Sequence, residues 1–145
     1  RVGSARDSRR LISIEGYPLV GTLSFMQKVL KSGTGWRLGW NPTNVYPGLV
    51  GSDDWALELT AAELEDFCRL LGQLADNMRS IQADLMDEEK IACEAESELI
   101  WMQVAGTPSA YNLRLILNTG RSCEGNWQAE FVPSLVAAAQ NLQFF

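Results

Sequence analysis

One long amphipathic segment constrains the fold of this chain more than any other feature. Thr60 and Glu63 have the spacing of a helix capping box. Behind them, apolar side chains recur at intervals of three and four residues as far as Leu85. The spacing predicts a single helix over about residues 61–86. Other elements must then pack against its apolar side to complete a core.

Short strands are predicted on both sides of this helix, three before it and up to four after it, bounded by residues typical of turns. In chain order they are residues 35–41, 47–51, 55–59, 91–97, 99–105, 111–118 and about 125–131. Pro133 and the apolar spacing behind it predict a second helix. The order predicts an α+β fold of two strand-rich halves, each closed by a helix, in which antiparallel sheets carry two packed helices.

The first 25 residues do not belong to either of these predicted halves. We expect an N-terminal extension, residues 1–25, followed by a single α+β domain over residues 26–145. Residues 1–10 carry four arginines and one acid, as in the remnant of an organellar targeting sequence or a simple basic tail. The apolar stretch Tyr17–Phe25 has too little bulk for a core of its own. It therefore needs another surface to lie against.

Catalytic groups are scarce in this sequence. The 145 residues contain no histidine, which removes the usual general base at neutral pH and the commonest zinc ligand. Cys68 lies on the apolar side of the predicted helix, and Cys93 has acidic neighbours, so neither has the surroundings of a reactive thiol. We expect no catalytic residue, no metal site, no cofactor and no enzymatic activity.

Charge is distributed unevenly along the chain. Residues 1–31 hold six basic and two acidic side chains, whereas residues 32–145 hold six basic and sixteen acidic ones. Nucleic-acid binding draws its affinity from lysine and arginine, so the acidic part is poorly suited to it. The acidity favours protein partners with basic surfaces, or serves solubility alone.

Three acidic residues alternate along one predicted strand. Glu94, Glu96 and Glu98 should share one face of the sheet. This face is open to three interpretations: a solvated surface, a dock for a basic partner, or a site for a hard cation. With the extension, it supplies the candidate partner-docking residues, which are Arg9, Arg10, Tyr17, Leu19, Leu23, Phe25, Glu94, Glu96 and Glu98.

The five tryptophans allow two interpretations. Large rings fill the space between sheets and helices, but aromatic side chains on a sheet can also stack bases of single-stranded nucleic acid. Stacking of that kind is usually accompanied by basic residues, and only Arg37 and Arg114 lie on predicted strands. The tryptophans are therefore interpreted mainly as core residues.

Four blocks of the sequence resemble a known family, the domain of unknown function 1818. The blocks are GWRLGWNP (35–42), GLVGSDDWALELT (48–60), DEEKIACEAESEL (87–99) and LRLIL (113–117). The resemblance covers about residues 26–145. It implies a protein of cyanobacteria or plastids to which no activity is assigned, and a fold similar to the Whirly and positive-cofactor-four class of single-stranded DNA-binding transcription regulators. The lysine-rich, glycine-containing motif with which Whirly proteins engage DNA has no counterpart here.

These observations lead to one leading hypothesis and one alternative. We expect a non-enzymatic protein-binding module, a peripheral subunit or assembly factor of a photosynthetic thylakoid complex such as a photosystem. The resemblance places it in the chloroplast stroma or on the stromal face of the thylakoid, and no apolar run is long enough to cross the membrane. The alternative is a Whirly-like single-stranded nucleic-acid-binding protein.

Overall fold

The computed structural model describes residues 27–84, 89–118, 120–121 and 123–142. Within these ranges the strands are β1 (Val29–Gly33), β2 (Trp36–Trp40), β3 (Gly48–Gly51), β4 (Ala56–Leu59), β5 (Ile91–Glu96), β6 (Ile100–Thr107), β7 (Ala110–Leu117) and β8 (Glu124–Trp127). The helices are α1 (Ala61–Gln82), a short 3₁₀-helix (Ala129–Phe131) and α2 (Val132–Gln140).

The strands form two antiparallel sheets of four, β1-β2-β3-β4 and β5-β6-β7-β8. Each strand pairs with the next strand along the chain, and each sheet is followed by a helix. The predicted α+β class, with two strand-rich halves each closed by a helix, is confirmed. The likeness to the Whirly class stays a prediction.

Helix α1 begins at the predicted capping box. The Thr60 hydroxyl accepts a hydrogen bond from the backbone N–H of Glu63 at 3.1 Å, and the Glu63 carboxylate accepts one from the N–H of Thr60 at 2.8 Å. The helix ends at Gln82, earlier than the predicted residue 86, and Leu85 lies outside the described residues. The buried apolar side chains of α1 are Leu64, Phe67, Leu70, Leu71, Leu74, Ala75 and Met78.

Both helices bridge the two sheets. Helix α1 follows the first sheet but contacts β5 and β6 of the second as well as β3 and β4. Helix α2 follows the second sheet but contacts β1 and β2 of the first as well as β7. The inward side chains of both sheets and both helices consequently form one hydrophobic core.

The prediction of three strands before α1 is wrong, because the first sheet has a fourth strand, β1. Strand β1 does not show the usual pattern of apolar residues on the inner face and polar residues on the outer face. The polar Lys31 shares the inner face with Val29, and the apolar Leu30 is 64% exposed on the outer face. Since β1 lies at the edge of its sheet, it needs little apolar surface to be retained. Gly35, with φ of +79°, forms the tight turn into β2.

The last predicted strand is also too long. Strand β8 stops at Trp127, and the 3₁₀-helix replaces residues 129–131 of the predicted strand. The side-chain oxygen of Asn112 accepts a hydrogen bond from the N–H of Ala129 at 2.9 Å, which turns the chain towards α2. Pro133 then lies in the first turn of α2, as predicted.

The core interpretation is confirmed for three of the five tryptophans. Trp36, Trp40 and Trp127 are each less than a tenth exposed. Trp55 is partly buried, and its ring centroid lies 4.9 Å from that of Trp127. Trp101 differs from these four, since it lies on the outer face of the second sheet.

Candidate functional site

The outer face of the second sheet carries a mixed row of side chains around one tryptophan. Glu96 of β5, Trp101 of β6, Ile116 of β7 and Glu124 of β8 are successive cross-strand partners. The inward partners of this region of β6, such as Met102, are fully buried. Because side chains alternate along a strand, this row faces away from the core. We call the row, together with Glu94 of β5 and Arg114 of β7, the acidic face.

Trp101 is held in place by two charged neighbours. Its indole N–H donates a hydrogen bond to the carboxylate of Glu94 at 3.3 Å. The guanidinium of Arg114 lies 5.6 Å from the centroid of its ring, within the range of a cation–π contact. Arg114 in turn forms an ion pair with Glu124 at 3.5 Å. The ring is only partly buried, so it presents aromatic surface between carboxylates.

The predicted acidic residues are brought together on this side of the molecule. Glu94 and Glu96 are exposed on the outer face of β5, as the alternation predicts. Glu98 is also exposed but lies beyond the end of the strand, in the turn that leads to β6. Asn118 donates to the Glu96 carboxylate at 3.4 Å and to the backbone oxygen of Ser97 at 3.3 Å.

The candidate residues of the extension cannot be placed relative to this face. Arg9, Arg10, Tyr17, Leu19, Leu23 and Phe25 lie outside the described residues. Their assignment to partner docking stays a prediction.

The structure also bears on the cation interpretation of the acids. Within the described ranges, no group of three or more histidine, cysteine, aspartate or glutamate side chains has an arrangement that could hold a metal ion. Glu94 and Glu96 instead accept hydrogen bonds from neighbouring side chains of the same sheet.

Sequence reasoning singled out the glutamates but did not place Trp101 with them. The signal was available in the period-two pattern of β6: Ile100, Met102 and Val104 are all fully buried, which puts Trp101 on the opposite face. The pairing with Glu94 follows only from the register of β5 with β6.

Arg37, the other strand arginine, has a structural role. Its guanidinium donates to the backbone oxygens of Ser52 and Trp55, each at 2.8 Å. These bonds hold the turn between β3 and β4. Consequently, of the two arginines predicted on strands, Arg114 is the one that lies beside an aromatic ring on an outer sheet face.

None of the helices in the described part of the chain has both the length and the apolarity needed to cross a membrane.

The described residues form an α+β fold in which two four-stranded antiparallel sheets share two helices. The sequence profile of DUF1818, a domain of unknown function, matches residues 31–142, and the chain belongs to this family. The predicted family membership is thus confirmed.

The chain is also similar to a solved structure. This is the crystal structure of a protein with unknown function from the DUF155 family of Prochlorococcus sp. NATL2A, a cyanobacterium. The two chains share 27% sequence identity with a TM-score of 0.73, and the similarity covers 77% of this chain and 96% of that one. A comparison with curated protein sequences finds no significant match.

Proposed function

We propose that this protein is a non-enzymatic protein-binding module that docks a basic partner through its acidic face. The observation that carries the proposal is the position of Trp101, partly exposed on a sheet face between Glu94 and Arg114. Tryptophan and arginine are the residue types most enriched among those that dominate protein interfaces. The surrounding carboxylates would select for lysine and arginine on the partner and speed its approach.

The size of the acidic face suggests that it does not act alone. Four strands at about 4.8 Å spacing and eight residues at about 3.3 Å rise give a face of about 14 by 23 Å. About half of the residues on its four strands point outward, which is fewer than the roughly 20 to 30 residues that each partner contributes to a stable interface. A durable complex therefore needs a second contact, for which Arg9 and Arg10 of the extension are the proposed contributors.

We further propose that the partner is a photosynthetic complex and that the protein acts at the stromal face of the thylakoid as a peripheral subunit or assembly factor. The cyanobacterial origin of the similar solved structure supports this assignment. The basic, serine-containing segment over residues 1–10 is also compatible with the remnant of a plastid-targeting sequence.

The contact between Trp101 and Arg114 favours one alternative function. An aromatic ring with an adjacent guanidinium can stack on an unpaired base, as in proteins that bind single-stranded nucleic acid. Glu94, Glu96 and Glu124 oppose this use, because a phosphate backbone would approach several carboxylates for each arginine. Protein docking is therefore the preferred proposal.

Native purification tests the proposal. The tagged chain is expressed in a phototroph and purified from thylakoid and stromal fractions, with and without nuclease, and its companions are identified by mass spectrometry. We expect nuclease-resistant co-purification with a thylakoid complex. A chain recovered only as a free monomer would contradict the docking proposal, and nuclease-sensitive association with nucleoids would favour the alternative.

Charge reversal then tests the acidic face. The double variant Glu94→Lys and Glu96→Lys should lose most of the co-purifying complex, because it repels a basic partner. The matched control reverses two exposed acids elsewhere, Glu65 on α1 and Glu130 before α2, and should retain the complex. Equal retention by both variants would exclude the acidic face as the docking surface.

A further inference from the structure

The outer face of the first sheet contains an apolar groove. Leu30, Gly39, Leu49 and Glu58 are successive cross-strand partners in one row from β1 to β4. The groove has a volume of about 250 Å³ and is lined by this row together with Tyr46 and neighbouring residues. Gly39 lies between the two leucines, and a Cβ atom there would lie 3.3 Å from Leu30 Cδ1 and 3.5 Å from Leu49 Cβ.

Exposed apolar side chains are concentrated at this groove. Among the described residues, the large hydrophobic side chains with substantial exposure are Leu30 at 64%, Val45 at 91% and Tyr46 at 36%. Leu30 and Tyr46 line the groove, and Val45 precedes Tyr46 in the same loop. A clustered apolar patch of this kind marks a surface that is covered by another segment or molecule.

The chain that leads into β1 has the chemistry and the position to cover it. Lys28 and Val29 also line the groove, so the chain enters β1 beside it. Tyr17–Phe25 contains no charged side chain and has five large apolar ones. Only Met26 and Gln27 separate this stretch from Lys28, which leaves just enough chain for a reversal of direction.

We propose that Tyr17–Phe25 binds in this groove of its own chain, across the outer face of the first sheet. The row from β1 to β4 spans three inter-strand spacings of about 4.8 Å, about 14 Å in total, and five extended residues at about 3.3 Å each span about 16 Å. The segment is therefore long enough to cross all four strands. A short tether also gives it an effective concentration in the millimolar range, which free partners do not match.

The match to DUF1818 covers residues 31–142, so Tyr17–Phe25 lies outside it, whereas most of the groove lining, from Gly39 to Glu58, lies within it. This intramolecular role differs from the partner contact predicted for Tyr17, Leu19, Leu23 and Phe25, and it leaves Arg9 and Arg10 for the partner.

Photo-crosslinking of the purified full chain tests the inference without any partner. The photoreactive residue p-benzoylphenylalanine replaces Leu23, the sample is irradiated at low protein concentration, and the linked peptides are identified by mass spectrometry. We expect links within one chain from position 23 to the peptides that contain Leu30, Tyr46 and Leu49. Links mainly to a second copy, links to another face, or no intrachain link to the groove would overturn the proposal.

A groove-blocking variant provides the second readout. Gly39→Arg in the same crosslinking chain places a charged side chain on the groove lining, and the atom nearest its Cβ is the movable end of Leu30. We expect the intrachain product to fall at least about fivefold.

The matched control is Gln73→Arg, which adds the same charge on the exposed side of α1 and should leave the yield of the intrachain product unchanged. An unchanged yield in Gly39→Arg, with the far-ultraviolet circular dichroism of the native fold, would also overturn the proposal. Because no partner is present, these outcomes are independent of the docking function.

Discussion

Arg121 in the turn between β7 and β8 forms an ion pair with Glu63 in the first turn of α1, 58 residues away in the sequence. The same guanidinium donates to the backbone oxygen of Glu58 at 2.6 Å and lies 4.5 Å from the centroid of the Tyr46 ring. Glu63 is only 1% exposed. One side chain of the second half therefore joins a strand, a helix terminus and a loop of the first half.

Removing this arginine should destabilise the protein strongly. Arg121→Ala leaves the buried carboxylate of Glu63 with the N–H of Thr60 as its remaining partner. Breaking a buried pair in this way costs about 3 kcal/mol, and the partial exposure of Arg121 keeps the effect near that value. Urea denaturation followed by circular dichroism measures the free energy of unfolding.

The matched control for Arg121→Ala is Arg69→Ala. Arg69 pairs with Asp66 on the exposed side of α1 at 3.1 Å, and such surface pairs contribute less than about 1 kcal/mol. Similar losses for the two variants would show that the pair of Arg121 and Glu63 does not join the two halves.

A second connection between the halves is the contact of Trp55 with Gly125. A Cβ atom at Gly125 would lie 2.2 Å from the Trp55 ring, closer than packed atoms approach. Gly125→Ala should therefore force the ring out of its place beside Trp127 and cost about 1 to 3 kcal/mol. Thermal unfolding, monitored by tryptophan fluorescence, should show the lower midpoint.

The opposite result is expected for a glycine without neighbours. Gly72 lies inside α1, and a Cβ atom there meets no other atom within 4 Å. Gly72→Ala should stabilise the protein by up to about 1 kcal/mol, because alanine has the higher helix propensity. If Gly125→Ala were as stable as the native chain, the contact with Trp55 could not be the reason for glycine at position 125.

The sequence is sufficient to predict the elements that have a local signal. The capping box of Thr60 and Glu63 predicts where α1 begins, and the turn residues predict seven of the eight strands found in the described ranges. Strand β1 lacks such a signal, because its retention depends on pairing with β2 rather than on its own alternation. The ion pair of Glu63 with Arg121 cannot be predicted from the sequence either, because the capping box already accounts for a glutamate at position 63.

The alkaline stability of the protein should depend on Cys68. Burial raises the pKa of its thiol from the ordinary value of 9.0 to about 12, although nearby Lys31 acts in the other direction. Between these values the unfolded chain releases the thiol proton and the folded chain keeps it, so the unfolded state binds fewer protons. Stability should therefore fall with rising pH, by about 1.4 kcal/mol per pH unit from this group.

The variant Cys68→Ala isolates that contribution. Burial lowers the pKa of Lys31, which makes its own contribution to stability rise with pH below 10.5, while the Cys68 thiolate acts in the other direction. Its removal in Cys68→Ala therefore changes the contribution of Lys31 in the sense that also flattens the decline. Urea denaturation at several pH values above 9 should give a shallower decline for Cys68→Ala than for the native chain. Parallel declines in the two proteins would contradict a buried thiol with a raised pKa.

Substitution of Trp101 and Trp127 by phenylalanine should separate the surface role of one from the core role of the other. Both changes remove an indole N–H. The N–H of Trp127 donates to the buried backbone oxygen of Gly51 at 2.9 Å, so Trp127→Phe removes a buried hydrogen bond together with part of the packed ring and should cost about 1 to 3 kcal/mol. In Trp101→Phe, water replaces the lost donor at the exposed Glu94, and stability should change by less than about 0.5 kcal/mol.

Denaturation of the two purified variants, combined with the native purification assay, provides the measurement. Trp101→Phe should keep the stability of the native chain while Trp101→Ala weakens association with the partner, because the larger truncation removes the aromatic surface. A loss of stability in Trp101→Phe as large as that in Trp127→Phe would mean that Trp101 is a structural residue. The acidic face would then lose the feature that marks it as a docking surface.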